Sequence, residues 1–199
     1  MSYAIIGFGA IGQALAKAFA RNGIEVSVAT RRDPESFAPA AAAIGPEVLP
    51  KTLTEAIKAD VIFLAVRFES HPAVAKALTS WQGKTIVDVT NAYAVPSEQL
   101  GGQPSSRFVA QAFPGAKLVK GFNHLGAAVL AQNPAVHGGR RVVFLASDDD
   151  GAAAEMGTLA EKLGFSPVEL GGLSEGGLLV HSQGNSWGQL IFKDLIKFD

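Results

Sequence analysis

Three glycines, Gly7, Gly9 and Gly12, stand in the run GFGAIG with the spacing G-x-G-x-x-G, directly after the apolar stretch YAII. In that context each glycine has a physical task. Gly7 permits a tight turn, Gly9 lets the backbone approach a pyrophosphate, and Gly12 allows close packing of helix on strand. Phe8, Ala10 and Ile11 complete the loop. The helix that opens here presents free N–H groups and the positive end of its dipole to phosphate. The alternative is a turn that merely joins strand to helix. The position after a buried strand and before an amphipathic helix favours the dinucleotide reading.

A ribose reader is expected ~20 residues beyond the glycines. Thr30 lies 18 residues after Gly12 and Asp33 lies 21 after it, with Arg31 and Arg32 between. A carboxylate there would hold a free 2′-hydroxyl, whereas hydroxyl and guanidinium donors suit a 2′-phosphate, which arginine grips bidentately. Spacing leaves Asp33 open. Its neighbours are Pro34, Glu35 and Ser36, the pattern of an N-cap aspartate with proline at N1. Asp33 is therefore assigned to the next helix, and Thr30, Arg31 and Arg32 to the ligand. This predicts NADP(H) over NAD(H). The competing reading makes the two arginines solvated surface charges.

These groups need a scaffold. YAIIG (Tyr3 to Gly7), EVSVA (Glu25 to Ala29), EVLP, DVIFLAV (Asp60 to Val66), TIVDVT (Thr85 to Thr90) and KLVKGFN (Lys117 to Asn123) read as strands, the fourth apolar throughout as a doubly covered parallel sheet requires. Between them helical patterns are expected through Ile11, Leu15, Ala18 and Phe19 up to Gly23, then over Pro34 to Ile44, Thr54 to Ala59, Pro72 to Trp81 and Ser105 to Phe113. Pro96 to Pro104 reads as a surface loop. RRVVFLAS (Arg140 to Ser147) and SPVEL (Ser166 to Leu170) add two strands around a helix from Gly151 to Leu163 that Gly164 caps. A last helix is expected from Ser186 to Phe198, with Trp187, Leu190, Ile191, Leu195 and Phe198 on one side, for packing on the sheet or for a homodimer interface. The expected fold is α/β, a Rossmann-type, doubly wound, mostly parallel sheet with a small C-terminal α/β extension. Residues 1–139 form the nucleotide-binding part and 140–199 the extension, in one compact unit.

Composition narrows the chemistry. The 199 residues carry 17 basic and 18 acidic side chains, a net charge of −1, and offer no bulk electrostatic case for nucleic acid or an anionic membrane. There is no cysteine, so disulfides, thiolate metal sites and thiol redox are excluded, and redox chemistry needs a bound cofactor. No spacing suggests a metal site. The N-terminal run is not expected to be a leader peptide, and no apolar run reaches the ~18 residues of a membrane span. A cytoplasmic protein is the expectation.

The ends of strands four, five and six should converge on the ligand crevice, which brings Val66, Arg67, Thr90, Asn91, Asn123 and His124 together. Asn91 and Asn123 suit a carboxamide or ribose, or else serve turn chemistry at strand ends. His124 is the candidate catalytic group, a proton or hydrogen-bond donor to an acceptor. His181 is a candidate for lining the acceptor pocket. His71, before Pro72, and His137, in a loop, have no ligand assigned.

With the strands placed, the chain resembles the NADPH-dependent coenzyme F420 reductase-like oxidoreductases and is similar to the cytosolic domain of the STEAP ferrireductases. The resemblance rests on GFGAIG, TRRD, DVTN (Asp88 to Asn91), PGAKLVKGFN (Pro114 to Asn123) and the run from Ser147 to Leu173, in that order. It implies a Rossmann domain whose extension completes an acceptor pocket, with NADPH across the carboxyl ends of the strands. By the same resemblance Thr30, Arg31 and Arg32 match the 2′-phosphate loop. Ala65, Val66 and Arg67 match the segment beside the cofactor, and His124, Leu125, Gly126 and Ala127 the loop against which the nicotinamide rests. Glu35 stands where some relatives have lysine, and Glu175 to Leu190 departs from the family pattern.

The leading reading is hydride transfer between NADP(H) and a small-molecule electron acceptor of flavin type (FMN or FAD) or deazaflavin type (F420). One alternative is a reductase of a small carbonyl or imine. Such enzymes usually add a large helical domain, where about 75 residues follow Asn123 here. Another is a non-catalytic NADPH-binding sensor.

Overall fold

The computed structural model of the chain describes residues 1–180 and 195–198. In chain order the elements are β1 (Tyr3–Ile6), α1 (Ala10–Arg21), β2 (Val26–Ala29), α2 (Ala38–Ala42), β3 (Val48–Pro50), α3 (Leu53–Ala56), β4 (Val61–Leu64), α4 (His71–Ala75), β5 (Thr85–Asp88), α5 (Ser97–Leu100), α6 (Ser105–Ala112), β6 (Lys117–Gly121), α7 (Ala127–Leu130), β7 (Ala135–Val136), β8 (Gly139–Ser147), α8 (Asp150–Lys162), β9 (Ser166–Glu169), α9 (Gly176–Leu179) and β10 (Ile196–Phe198).

The strands run β3-β2-β1-β4-β5-β6, all parallel, and then β8, antiparallel to β6. The six parallel strands have the doubly wound dinucleotide-binding order, whose switch point falls between β1 and β4. Alternation along each strand sorts the side chains onto two faces. Ile5, Phe63, Val87 and Val119 pack with Leu15 and Phe19 of α1 and with Met156 and Leu159 of α8. Ala4, Ile6, Ile62, Leu64 and Ile86 pack with Ala56 of α3, Val74 of α4 and Val109 of α6. On the first face the rings of Phe19, Phe63, Phe122 and Phe165 form a chain with centroids 5.5, 5.6 and 5.9 Å apart. This ties α1 to the far side of the sheet. Among the described residues no helix is long and apolar enough to cross a membrane.

Four expectations change. The stretch Pro96 to Pro104, expected as a loop, contains the short helix α5. The segment Pro34 to Ile44 divides into a 3₁₀ turn, Pro34–Ser36, and α2, because Pro39 has no N–H and opens a new helix. The helix expected to reach Trp81 stops at Ala75. Trp81 is instead fully buried, its indole N–H donates to the Ala75 carbonyl at 3.0 Å, and its own amide donates to Pro114. The helix expected from Ser186 to Phe198 is overturned at its end, where Ile196–Phe198 is a strand pairing antiparallel with Gly139–Arg141 of β8. The nine-residue β8 outruns β6 and β9, which pair with it from Val142 onward, and β7 and β10 take up the backbone groups of Gly139–Arg141. Gly139 permits that approach, since a Cβ there would lie 2.5 Å from the Lys197 carbonyl oxygen. Residues 181–194, with the expectations for His181, Trp187, Leu190 and Ile191, lie outside the described residues.

Candidate functional site

β1 ends at the switch point, stitched to both neighbours: the Gly7 amide donates to Ala29 of β2 and the Ala65 amide to Ile6, each at 2.8 Å. At φ +104° Gly7 adopts a conformation that disfavours any side chain, and a Cβ on it would lie 2.3 Å from the Ala65 carbonyl oxygen. Gly12 comes still closer, its would-be Cβ 1.9 Å from the Gly7 carbonyl oxygen, so α1 rests directly on the turn. Gly9 differs. It is exposed, and a Cβ there would meet nothing within 4 Å. It is the N-cap of α1 without a side-chain cap, and no acid occupies the first turn. The first-turn amides of a twelve-residue helix are thus left without intrahelical partners beside open space. An absent side chain, free amides and helix dipole fit a bound phosphate.

Beside that turn opens a cleft of about 740 Å³. Gly9, Ala10 and Ile11 form one wall, and residues 65–70, 89–91, 93 and 94 form the rest. The structure so brings together eight of the sequence-derived candidates, Gly9, Ala10, Ile11, Ala65, Val66, Arg67, Thr90 and Asn91. Gly7 and Gly12 shape the turn from behind. Phe8 is buried, its ring 5.7 Å from that of Phe37, so it supports the loop from the core. Phe68, Glu69, Ser70, Val89, Tyr93 and Ala94 were not anticipated. Phe68, Glu69 and Ser70 form a 3₁₀ turn after Arg67, Val89 directly follows β5, and Tyr93 and Ala94 lie beyond Asn91, so only their neighbours in the chain pointed to them.

At the end of β2, Thr30 follows directly on Ala29, which pairs with Gly7, so this loop flanks the glycine turn. Thr30 Oγ1 accepts the Arg32 N–H at 3.0 Å, a hydroxyl-closed turn that leaves Arg31 and Arg32 exposed. Among the described residues neither guanidinium is paired with a carboxylate. Asp33 needs correction. It occupies the N-cap position before Pro34, but its carboxylate makes no capping bond. Its carbonyl accepts instead, from the Ser36 amide at 3.0 Å and the Ser36 hydroxyl at 2.7 Å. A single 3₁₀ turn closed through that carbonyl leaves the side chain outside.

The other group of candidates lies apart from the cleft lining. Asn123, His124 and Leu125 are buried, and Ala127 starts α7. His124 Nε2 lies 3.2 Å from the Val142 carbonyl oxygen and its ring 4.9 Å from that of Phe144, so the imidazole packs on β8. Asn123 and Asn91 clasp each other. Asn123 Nδ2 donates to Asn91 Oδ1 at 3.0 Å and to the Val180 carbonyl at 2.8 Å, while Asn91 Nδ2 donates to the Asn123 carbonyl at 2.8 Å. The preceding residue, Phe122, has φ +58°, uncommon for a bulky side chain. Its fully buried ring holds the chain in that turn as it leaves β6. His71 is buried with Nδ1 against the Phe68 carbonyl, and His137 is exposed in the turn between β7 and β8. No cluster of three or more His, Asp or Glu suited to a metal occurs among the described residues.

Sequence reasoning missed an ion pair beneath the cleft. Asp88 and Lys120 face each other in the β5–β6 register, with side chains 0% and 1% exposed and Nζ 3.1 Å from Oδ2. Lys120 also donates to the Thr90 carbonyl, and Asp88 Oδ1 accepts the Thr90 amide at 2.9 Å and hydroxyl at 2.7 Å. Burial pushes the Lys120 ammonium below the usual lysine range, and Asp88 opposes that shift. A lysine inside the apolar run KLVKGFN was the signal that could have exposed the pair.

Comparison with known proteins matches residues 2–92 to the family described as NADP oxidoreductase, coenzyme F420-dependent. The hypothetical protein SMa0349 from Sinorhizobium meliloti has a similar crystal structure, with TM-score 0.91 and 37% identity over 99% of this chain and 96% of that one. A putative F420-dependent NADP-reductase from Arthrobacter sp. FB24 superposes with TM-score 0.71 at 27% identity, covering 87% of this chain and 86% of that one. The rat (Rattus norvegicus) metalloreductase STEAP3 is 29% identical over 173 residues, 85% of this chain. This chain spans only 34% of that relative's length. The family match spans residues 2–92, from the glycine turn at the switch point to just past β5, and the structural likeness to the two bacterial proteins continues through the extension beyond β6.

Proposed function

We propose that the chain binds NADP(H) in this cleft and transfers hydride between it and a flat acceptor of flavin or deazaflavin type, such as FMN, FAD or F420. The observation that carries the reading is the space at Gly9, open where a Cβ would stand and flanked by uncapped amides at the mouth of the cleft. The first turn of α1 would hold the pyrophosphate, and Thr30, Arg31 and Arg32 the 2′-phosphate. That puts the adenosine over β2 and the other half of the dinucleotide over β4 and β5. There Val66 and Val89 offer apolar walls that exclude water, and Asn91, fixed by Asn123, offers a polar edge. When bound, the nicotinamide supplies the hydride chemistry, and the protein supplies approach and orientation. Residues 1–139 would carry the dinucleotide, and 140–199 the acceptor side. The name of the Arthrobacter relative supports the F420-type acceptor. A homodimer belongs to this reading, because Leu195 and Phe198 stand 41% and 62% exposed beside the edge strand β10. A monomer mass by light scattering would refute it.

The test is steady-state oxidation of NADPH with FMN, FAD, F420 and quinones, alongside a binding titration. Turnover with a flavin or deazaflavin is expected. Tight NADPH binding without turnover on any acceptor would make the protein a sensor, and turnover only on imines or small carbonyls would move it to the other reductase class. Absence of NADPH binding would refute the reading altogether.

A further inference from the structure

We infer that Lys120 is a positioning residue for the part of the cleft over β5, acting through Asp88 and the backbone of Thr90. The inference rests on the proposed use of the cleft for NADP(H). Stability alone does not account for a lysine and an aspartate placed in the sheet interior. Desolvation of both charges offsets their attraction, and an apolar pair of similar volume commonly serves the fold as well. What the pair accomplishes is geometric. β5 ends at Asp88, and the next residues, Val89, Thr90 and Asn91, line the cleft. Past that strand end Thr90 would be free to vary. Instead its carbonyl is held by Lys120 Nζ, and its amide and hydroxyl by Asp88 Oδ1 at 2.9 and 2.7 Å. Every polar group of Thr90 is therefore committed to the pair, and the pair is anchored in two adjacent strands. One residue further, Asn91 locks onto Asn123, itself aimed by the left-handed turn at Phe122. Two charges and two amides thus fix a three-residue wall from below and from the side. That wall lies on the β5 side, away from Thr30 and Arg31, so it faces the nicotinamide half of the dinucleotide and leaves the adenosine half to other contacts.

Two double variants test this. Asp88→Leu with Lys120→Met replaces the charges by apolar groups, while Asp88→Asn with Lys120→Gln keeps donors and acceptors without charge. Wild-type protein is first titrated with NADPH, following nicotinamide emission; if it does not bind, the proposed function fails and not this inference. For the apolar pair the fold should persist and the NADPH dissociation constant should stay within about threefold, since the phosphate contacts are untouched. The emission of bound nicotinamide should shift toward that of free cofactor. Turnover with the best acceptor should fall about tenfold or more, as even about 1 Å of misplacement is costly. The amide pair should lie between it and wild type. If the apolar pair does not fold, the amide pair alone decides: altered emission at unchanged affinity upholds the inference. A folded variant with wild-type emission and turnover overturns it, and so does the failure of both variants to fold, which would make the pair a structural requirement only.

Discussion

Gly9→Ala separates ligand approach from folding. Gly9 has φ −80° and ψ −163°, backbone that any residue adopts, and a methyl there meets nothing within 4 Å. The folded protein should accept alanine without strain. The less flexible unfolded chain then stabilises the protein by about 0.4–1 kcal/mol. At ~2–4 °C per kcal/mol for a chain of this size, Tm rises by about 1–4 °C. In the proposed complex the same methyl would stand between the phosphates and the first-turn amides of α1. Loss of one hydrogen bond to a charged group, about 1.5–3 kcal/mol, raises the Kd for NADPH by about 10- to 150-fold. Gly12→Ala is the control with the opposite pattern. Its Cβ would lie 1.9 Å from the Gly7 carbonyl oxygen and 2.9 Å from the carbon, backbone against backbone. Overpacking of that kind costs about 1–3 kcal/mol, so Tm falls by about 2–12 °C. Differential scanning calorimetry reads Tm, and nicotinamide fluorescence reads Kd. A Gly9→Ala protein that binds NADPH as wild type does would show that the pyrophosphate does not cross this turn. A harmless Gly12→Ala would refute the packing inferred for α1.

Three further outcomes are expected. Arg31→Ala should weaken NADPH binding by about 1–3 kcal/mol, the range for a charge-assisted contact, and leave NADH nearly unchanged; equal losses for the two cofactors would remove Arg31 from the 2′-phosphate site. Trp81→Phe keeps most of the ring packing on Phe113 but strips the Ala75 carbonyl of its indole donor. A loss of about 1–3 kcal/mol in denaturant unfolding is expected, and a change within error would mean that the carbonyl finds another partner. Hydrogen bonds from the Ser2 amide and hydroxyl hold the Asp60 carboxyl below its usual range. Because the folded value lies below the unfolded one, this stabilisation is present above the ordinary carboxylate range and is lost as pH falls from that range through the lowered folded value. Asp60→Asn should therefore flatten the acid limb of a stability–pH profile, and an unchanged limb would assign acid unfolding to other groups.

The parallel core was legible because its chemistry is local. A strand covered on both faces must be apolar throughout, as Val61–Leu64 is, and a glycine turn needs its own three positions and little else. The parts that were not legible depend on partners distant in sequence. Helical spacing through Leu195 and Phe198 is a property of the segment, but the start of β8, which β6 and β9 do not reach, is a property of the sheet, and it draws Ile196–Phe198 into a strand. The run to Trp81 keeps helical spacing as well, yet the indole is claimed by Phe113, 4.8 Å away at the end of α6. Asp33 shows a subtler limit. Cap sequence and cap position agree, but the cap bond depends on whether an α-helix follows, and the 3₁₀ turn closed by Ser36 removes the need for it.

The same limit explains why DVTN and KLVKGFN could be recognised but not interpreted. Read singly, each is a strand with a polar end, and Asn91 and Asn123 suit a ligand or a turn equally. The β5–β6 register places Asp88 opposite Lys120 and the two strand ends side by side. A lysine that looks misplaced in an apolar strand then has its counter-ion, and each asparagine has the other. The two runs act as one device, and a substitution in either should be felt in both. Lys120 and Asp88 hold Thr90 from within the sheet, while Asn123 holds Asn91 across the strand ends. A ligand on the cleft side would therefore meet a wall held in one arrangement by the protein, with Asn91 as its polar edge. In the proposed complex, selectivity over β5 would come from the shape of Val89, Thr90 and Asn91, and charge selection from the exposed arginines at the end of β2.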